Sequence, residues 1–212
     1  MKKGVIVLVV FLFAAGCQSL YYGTMEKFGR HKRDILVDRV KDARDTQQET
    51  KEQFASALEK FRSVVNVEGG KLQDKYDQLK SELDKSESKA SAVKKRVNDV
   101  EDVAEALFDE WEKELDQYES AKLKEASKKE LGQTRQKYSQ LIGAMKNAES
   151  KIEPVLSAFR DQVLFLKHNL NAQAIASLQT ELGTMETDIG KLITEMENSI
   201  GEADKFIKTM QE

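Results

Sequence analysis

Apolar and small residues recur every three or four positions along most of the chain after residue 25, and this spacing constrains the fold more than any other feature. From Leu72 to Trp111 the series runs without a break. Such spacing places one apolar stripe along an α-helix, as in coiled coils. The chain has only one proline, and 33% of its residues are charged, which is typical of long helices with solvated outer faces. The sequence therefore predicts an all-α fold.

Three breaks divide this series into four helices. A glycine pair at 69–70 ends the first, a polar stretch near 120–127 separates the second from the third, and the segment 169–171 precedes the fourth. Asn171 is suited to cap the fourth helix, and Pro154 is predicted to kink the third. We place the helices at about residues 25–67, 71–119, 128–168 and 172–211.

Folding the helices about their turns brings apolar positions opposite one another. Opposed residue numbers sum to about 137 in the first hairpin and about 341 in the second, so that Phe54 meets Leu83 and Phe159 meets Leu182. Short turns join antiparallel neighbours, and a lone hairpin would leave part of its apolar stripe in water. We therefore predict two long antiparallel helical hairpins forming an elongated up-down four-helix bundle, with residues 25–212 as one domain. Two separate coiled-coil arms are the alternative.

The N-terminal segment has the layout of a bacterial lipoprotein signal. Two lysines precede the apolar stretch Val5–Ala15, and small residues then lead to Cys17, the only cysteine of the chain. A stretch of this length is too short to cross a membrane, which takes roughly 20 residues. We predict a signal peptide at residues 1–16, lipidation of Cys17, and an anchor with a short linker at residues 17–24. A plain signal peptide with an incidental cysteine is the alternative.

The residues around the cleavage site also bear on location and partners. No aspartate follows Cys17, which favours an outer membrane lipoprotein facing the periplasm over the inner membrane. The whole chain has a formal net charge of −3, and the signal peptide carries two of its lysines, so the mature chain is slightly more acidic. This charge argues against a nucleic-acid partner. The expected partners are the membrane, through the lipid on Cys17, and an unidentified envelope protein.

Aromatic and basic residues follow the predicted anchor closely. Side chains of these types suit the headgroup region of a membrane. The candidate membrane-surface contacts are Tyr21, Tyr22, Phe28, Arg30, Lys32 and Arg33. Internal pairing is the alternative, and the two interpretations are compatible. The predicted register offers acidic partners on the second helix, namely Glu101, Asp102 and Glu105.

Residues 163–166 form a run of four apolar side chains near the end of the third helix. One helix face cannot bury all four, so two must face another surface. We predict a partner-docking tip formed by Val163, Leu164, Phe165, Leu166 and His168. The alternative is a well-buried bundle end packed against valines of the first helix, Val64, Val65 and Val67.

The centre of the first hairpin is poor in apolar residues. Gln47 and Thr50 fall on the apolar stripe. In the predicted register they oppose Ala90 and either Ser86 or Lys85. We interpret them as a polar layer that sets the register of the helices. A local opening where a ligand binds is the alternative. Trp111 also falls on a stripe and is predicted to lie in the core.

No pattern of catalytic or metal-binding residues stands out. His31 and His168 are the only histidines, and the predicted bundle places them at opposite ends, so they cannot share a metal ion. The segment 68–71 lacks the spacing of a phosphate-binding loop. We expect no catalytic residues, no metal, no cofactor and no enzymatic activity.

Three sequence blocks carry a resemblance to a known family, namely Met25–Leu36, Ala106–Trp111 and Val163–Ala172. They resemble an uncharacterised domain-of-unknown-function family of proteobacterial envelope lipoproteins with coiled-coil character, over nearly all of the mature chain. That family has no established activity, so the resemblance implies none.

The function that we expect is a non-enzymatic, lipid-anchored periplasmic scaffold, spacer or partner-docking module. A carrier or sensor that binds a lipid or another apolar ligand between the hairpins is the alternative. An accessory subunit of an enzyme is a third hypothesis.

Overall fold

The computed structural model describes residues 31–66 and 71–211, and this part of the chain is almost entirely helical. Its elements are α1 (Lys32–Asn66), α2 (Leu72–Leu115), α3 (Ala121–His168) and α4 (Ala172–Gln211). These residues contain no β-strand, and the all-α prediction is confirmed. The longest helix, α3, has 48 residues. At 1.5 Å per residue it is about 70 Å long.

The four helices pack side by side in a closed ring. Each helix contacts the next along the chain, and α1 also contacts α4. Side-chain pairs between α1 and α2 show that the neighbours run antiparallel, because Glu49 meets Lys89 whereas Gln53, farther along α1, meets Glu82. The two hairpins therefore form one up-down four-helix bundle, as predicted, and are not separate arms.

One continuous apolar core fills the centre of the bundle. Phe61 of α1 and Phe159 of α3 meet edge to face across it, with ring centroids 6.3 Å apart. Burying a large apolar side chain contributes about 1.5–3 kcal/mol, so this core outweighs the helix propensity of individual residues. The largest fully buried side chains include Phe54, Leu36, Leu79, Leu141, Met145, Leu178, Leu192 and Met196.

The predicted helix ends differ from the structure at the α2–α3 connection, where α2 ends at Leu115 rather than at residue 119 and α3 also begins earlier than predicted. The predicted start of the first helix at residue 25 lies outside the described residues. The α3 helix begins at Ala121 rather than near residue 128, and Ser120 caps it by accepting a hydrogen bond from the Leu123 amide at 3.4 Å. The predicted loop was too long because its polar residues hide the apolar periodicity, although Ala, Lys and Glu are strong helix formers. The cap of α4 is confirmed, since Asn171 Oδ1 accepts from the Ala174 amide at 3.0 Å.

The carboxyl end of α1 has a side-chain cap from the neighbouring helix. Lys75 of α2 is buried, and its ammonium group donates to the Val64 carbonyl at 2.9 Å. A lysine in this position satisfies a carbonyl that the helix itself leaves unpaired. The predicted glycine turn at 69–70 lies outside the described residues.

Pro154 lies inside α3, which continues through it to His168. Proline removes the hydrogen bond to the carbonyl four residues earlier, here that of Ser150. Both residues are exposed, so water can hydrate the freed carbonyl. Pro154 therefore does not end the helix, and the kink remains a prediction.

Candidate functional site

Highly exposed large apolar side chains lie at the two ends of the bundle, as far as residues 31–66 and 71–211 show. We call the end formed by the start of α1, the α2–α3 turn and the end of α4 the anchor end, and the opposite end the distal end. The exposed side chains are Tyr118 and Leu123 at the anchor end, and Leu164, Phe165 and Leu170 at the distal end. The long sides of the bundle carry charged residues, many of them paired across helices.

At the distal end, residues 163–166 are divided between core and solvent. Val163 and Leu166 are buried, whereas Leu164 is 52% and Phe165 is 41% exposed. This division follows from helix geometry, because consecutive positions point about 100° apart. The valines of α1 that the alternative invoked, Val64 and Val65, are buried at this end, whereas Val67 lies outside the described residues.

The connection from α3 to α4 adds to the distal surface. His168 is exposed at the end of α3, and the Asn169 side chain donates to the Phe165 carbonyl at 2.9 Å. Leu170 follows and is exposed. Leu170 was not among the predicted tip residues, because a single leucine between two asparagines has no periodic neighbour. Leu164, Phe165 and Leu170 together form the distal patch.

At the anchor end, two predicted membrane contacts are engaged inside the bundle. Lys32 forms an ion pair with Glu110 of α2 at 2.7 Å, and its side chain is only 11% exposed. The Arg33 guanidinium donates twice to the Met210 carbonyl of α4, at 3.2 and 2.8 Å. Both contacts support the internal-pairing interpretation. The ion pair of Lys32 is with Glu110, whereas the register predicted from the sequence offered Glu101, Asp102 and Glu105. The remaining candidates lie outside the described residues, namely Cys17, Tyr21, Tyr22, Phe28 and Arg30.

An aromatic cluster joins α2 to α3 near the anchor end. The rings of Phe108 and Tyr138 meet at 5.4 Å, and the Arg135 guanidinium lies 5.2 Å from the centre of the Phe108 ring. Arg135 also pairs with Glu112 and holds the pKa of that carboxyl below its ordinary value. Burial, together with the charges of nearby glutamates, raises the pKa of Tyr138 to about 12. The cluster is a structural connection between the hairpins.

Trp111 packs against the core and is partly buried. Its indole nitrogen donates to the Ser127 hydroxyl on α3 at 2.8 Å. Buried or half-buried tryptophans usually find such a partner, because the indole N–H is costly to leave unpaired. Trp111 thus fixes the start of α3 against the end of α2.

The predicted polar layer is closed to solvent. Gln47, Thr50, Ser86 and Ser199 are all 0% exposed. Gln47 accepts a hydrogen bond from the Ser199 hydroxyl of α4 at 2.7 Å, and its Nε2 has no hydrogen-bond partner among the described residues. The main partner of Gln47 therefore lies on α4 and not on α2, because α1 packs against both helices. The buried layer supports the register interpretation over a ligand opening.

The described residues bear on metal binding and on membrane crossing. Within residues 31–66 and 71–211, no group of three His, Cys, Asp or Glu side chains could hold a metal ion. None of the helices in this same part of the chain has an apolar stretch long enough to cross a bilayer.

Comparison with known proteins identifies a family. Neither the curated proteins nor the solved structures contain a match to this chain. A family model described as a protein of unknown function (DUF2959) matches residues 21–210. Since that match covers nearly all of the sequence, the chain belongs to the DUF2959 family of proteins of unknown function.

Proposed function

We propose that this protein is a non-enzymatic, lipid-anchored helical spacer that docks a partner protein in the bacterial envelope. In this proposal the lipid on Cys17 holds it in the outer membrane, facing the periplasm. The single observation that carries the docking role is the distribution of exposed large apolar side chains, which in the described part of the chain lie at the ends of the bundle and not along its sides. A rod with such ends is suited to connect two surfaces.

The distal patch is the proposed docking site. Leu164, Phe165 and Leu170 stand on the end of a rigid bundle about 70 Å long, so they would meet a partner well away from the membrane. Exposed apolar side chains of this kind are favoured in the centre of protein interfaces, whereas the charged sides of the rod are not. The chemistry of the patch indicates a partner with an apolar surface.

A photocrosslinking amino acid in place of Phe165 tests the docking role in cells that make the protein natively. We expect one adduct of defined mass, and we expect Leu164→Ser together with Leu170→Ser to remove it. Thr194, exposed in the middle of α4, is the matched control position. Equal adducts at both positions, or none at Phe165, would contradict the proposal.

The anchor is tested separately. We expect Cys17→Ala to move the protein from the membrane fraction to the soluble fraction. Mass spectrometry of the natural protein should show an acylated Cys17 as the first residue. An N-terminus that begins elsewhere, or an unmodified thiol, would refute the lipid anchor.

The carrier hypothesis draws on a groove of about 490 Å³ between α2 and α3. The groove is lined in part by small side chains, namely Ala90, Ser91 and Ser150. Charged side chains such as Lys94 and Glu149 also line it. An apolar ligand would favour a less charged lining, so the groove supports this hypothesis less strongly. If the purified protein contained one equivalent of lipid, and the Ala90→Phe variant did not, the carrier hypothesis would be favoured over docking.

A further inference from the structure

The α2–α3 turn presents an aromatic and an aliphatic side chain at the anchor end. Tyr118 is 41% and Leu123 is 57% exposed, and among residues 31–66 and 71–211 they are the large apolar side chains with high exposure at that end. The prediction of membrane contacts from the sequence did not include them, because they lie about a hundred residues after Cys17. The antiparallel pairing of α1 and α2, which the sequence predicts, brings this turn to the same end as the start of α1.

The turn is held firmly by its neighbours. Lys124 pairs with Asp116 across it at 2.9 Å, Ser120 caps α3, and the bond from Trp111 to Ser127 joins the two helices just behind it. Tyr118 and Leu123 are therefore displayed on a fixed support. An ordered support reduces the entropy lost on binding.

The position of the anchor indicates what this turn would contact. Lys32, at the start of α1, pairs with Glu110, which lies five residues before the end of α2. Fourteen residues separate Cys17 from Lys32, and a fully extended segment of that length reaches at most about 50 Å. A lipid on Cys17 would therefore keep the anchor end near the bilayer.

We infer that the α2–α3 turn is a second membrane contact, which inserts Tyr118 and Leu123 at the lipid–water interface. Tyrosine is favoured at that depth because its ring is apolar and its hydroxyl stays hydrated. Lys122 is exposed between the two side chains and suits a lipid phosphate, while Glu119 and Glu125 carry the opposite charge, so the turn offers no net positive charge from these three residues. The contact is therefore mainly apolar and only weakly dependent on salt. This inference rests on the proposed anchor at Cys17.

The test uses the lipidated protein in phosphatidylcholine vesicles with an environment-sensitive fluorophore on a single introduced cysteine. Cys17 is the only natural cysteine and is blocked by the lipid, so Lys122→Cys and Lys167→Cys each give one labelling site. Both lysines are exposed, and they lie at opposite ends of the bundle. A lipid with a quencher near its headgroup should reduce the fluorescence at position 122 at least twofold and leave position 167 unchanged. Raising the salt to about 0.5 M should not change this result.

Substitution of both apolar side chains completes the test. We expect Tyr118→Ser with Leu123→Ser to abolish the quenching at position 122, while the protein still floats with the vesicles. Equal quenching at positions 122 and 167, or none at 122, in protein that floats would overturn the second contact and leave the anchor standing. Protein that does not float at all would overturn the anchor, and this inference with it.

Discussion

The buried pair formed by Gln47 and Ser199 gives a prediction in which two substitutions at one hydrogen bond have opposite effects. Both residues are fully buried, and the Ser199 hydroxyl donates to Gln47 Oε1 at 2.7 Å. The other end of the same amide, Nε2, has no partner among the described residues. A buried polar group without a partner costs about 1–3 kcal/mol. The layer thus reduces stability in return for fixing how α1 and α4 align.

We expect Gln47→Leu to stabilise the bundle by about 1 kcal/mol. The substitution removes the unpaired Nε2, and the new apolar side chain joins the core. Ser199 loses its acceptor, at a cost of about 1 kcal/mol, but a helical serine can donate instead to the carbonyl four residues earlier. Ser199→Ala should have the opposite sign and destabilise by about 1–3 kcal/mol, because it leaves both ends of the Gln47 amide unpaired.

Urea denaturation of the unlipidated chain, residues 18–212, followed by circular dichroism, measures both effects. For a domain of this size, 1 kcal/mol corresponds to a shift of about 2–4 °C in melting temperature. Gln133→Leu on the exposed face of α3 is the control and should change stability by less than about 0.5 kcal/mol. A loss of more than about 1 kcal/mol in Gln47→Leu would refute the reasoning, since the amide would then contribute more than its one hydrogen bond explains.

Three further predictions follow from the structure. Gly190→Ala should stabilise α4 by up to about 1 kcal/mol in the same denaturation assay, because an added methyl group would meet no atom within 4 Å; destabilisation would contradict the open surroundings. Spectrophotometric titration should find the pKa of Tyr138 raised to about 12 by burial, with Glu101 adding to the shift. The contribution of Tyr138 to stability is then fully present below pH 10 and is lost as the pH rises towards 12, because Tyr138 ionises at a lower pH in the unfolded chain than in the folded protein. A measured pKa near 10 for Tyr138 would disprove this. Trp111→Phe should cost about 0.5–1.5 kcal/mol through the lost bond to Ser127, and Ser127→Ala should then add little, which a double-mutant cycle checks.

The sequence by itself predicted the helices and their pairing within each hairpin. A periodicity of three and four residues allows only an amphipathic helix, and Asn171 signalled the start of α4 by its capping chemistry. The same periodicity showed that residues 163–166 cannot all be buried, and Leu164 and Phe165 are the two that reach solvent. Local rules sufficed here because each of these features depends on residues close together in the chain.

Only the tertiary structure decided how the two hairpins meet. An apolar stripe shows that a helix needs a partner but not which helix fills that role, so the Gln47–Ser199 bond between α1 and α4 could not be read from the spacing. The pairing of Lys32 with Glu110 depends on side-chain reach across a gap between helices. The predicted hairpins place the α2–α3 turn at the anchor end, but the exposure of Tyr118 and Leu123 there was decided by the packing of the bundle. Periodicity fixes the direction in which a residue points along its own helix, whereas the packing of the bundle fixes what it meets.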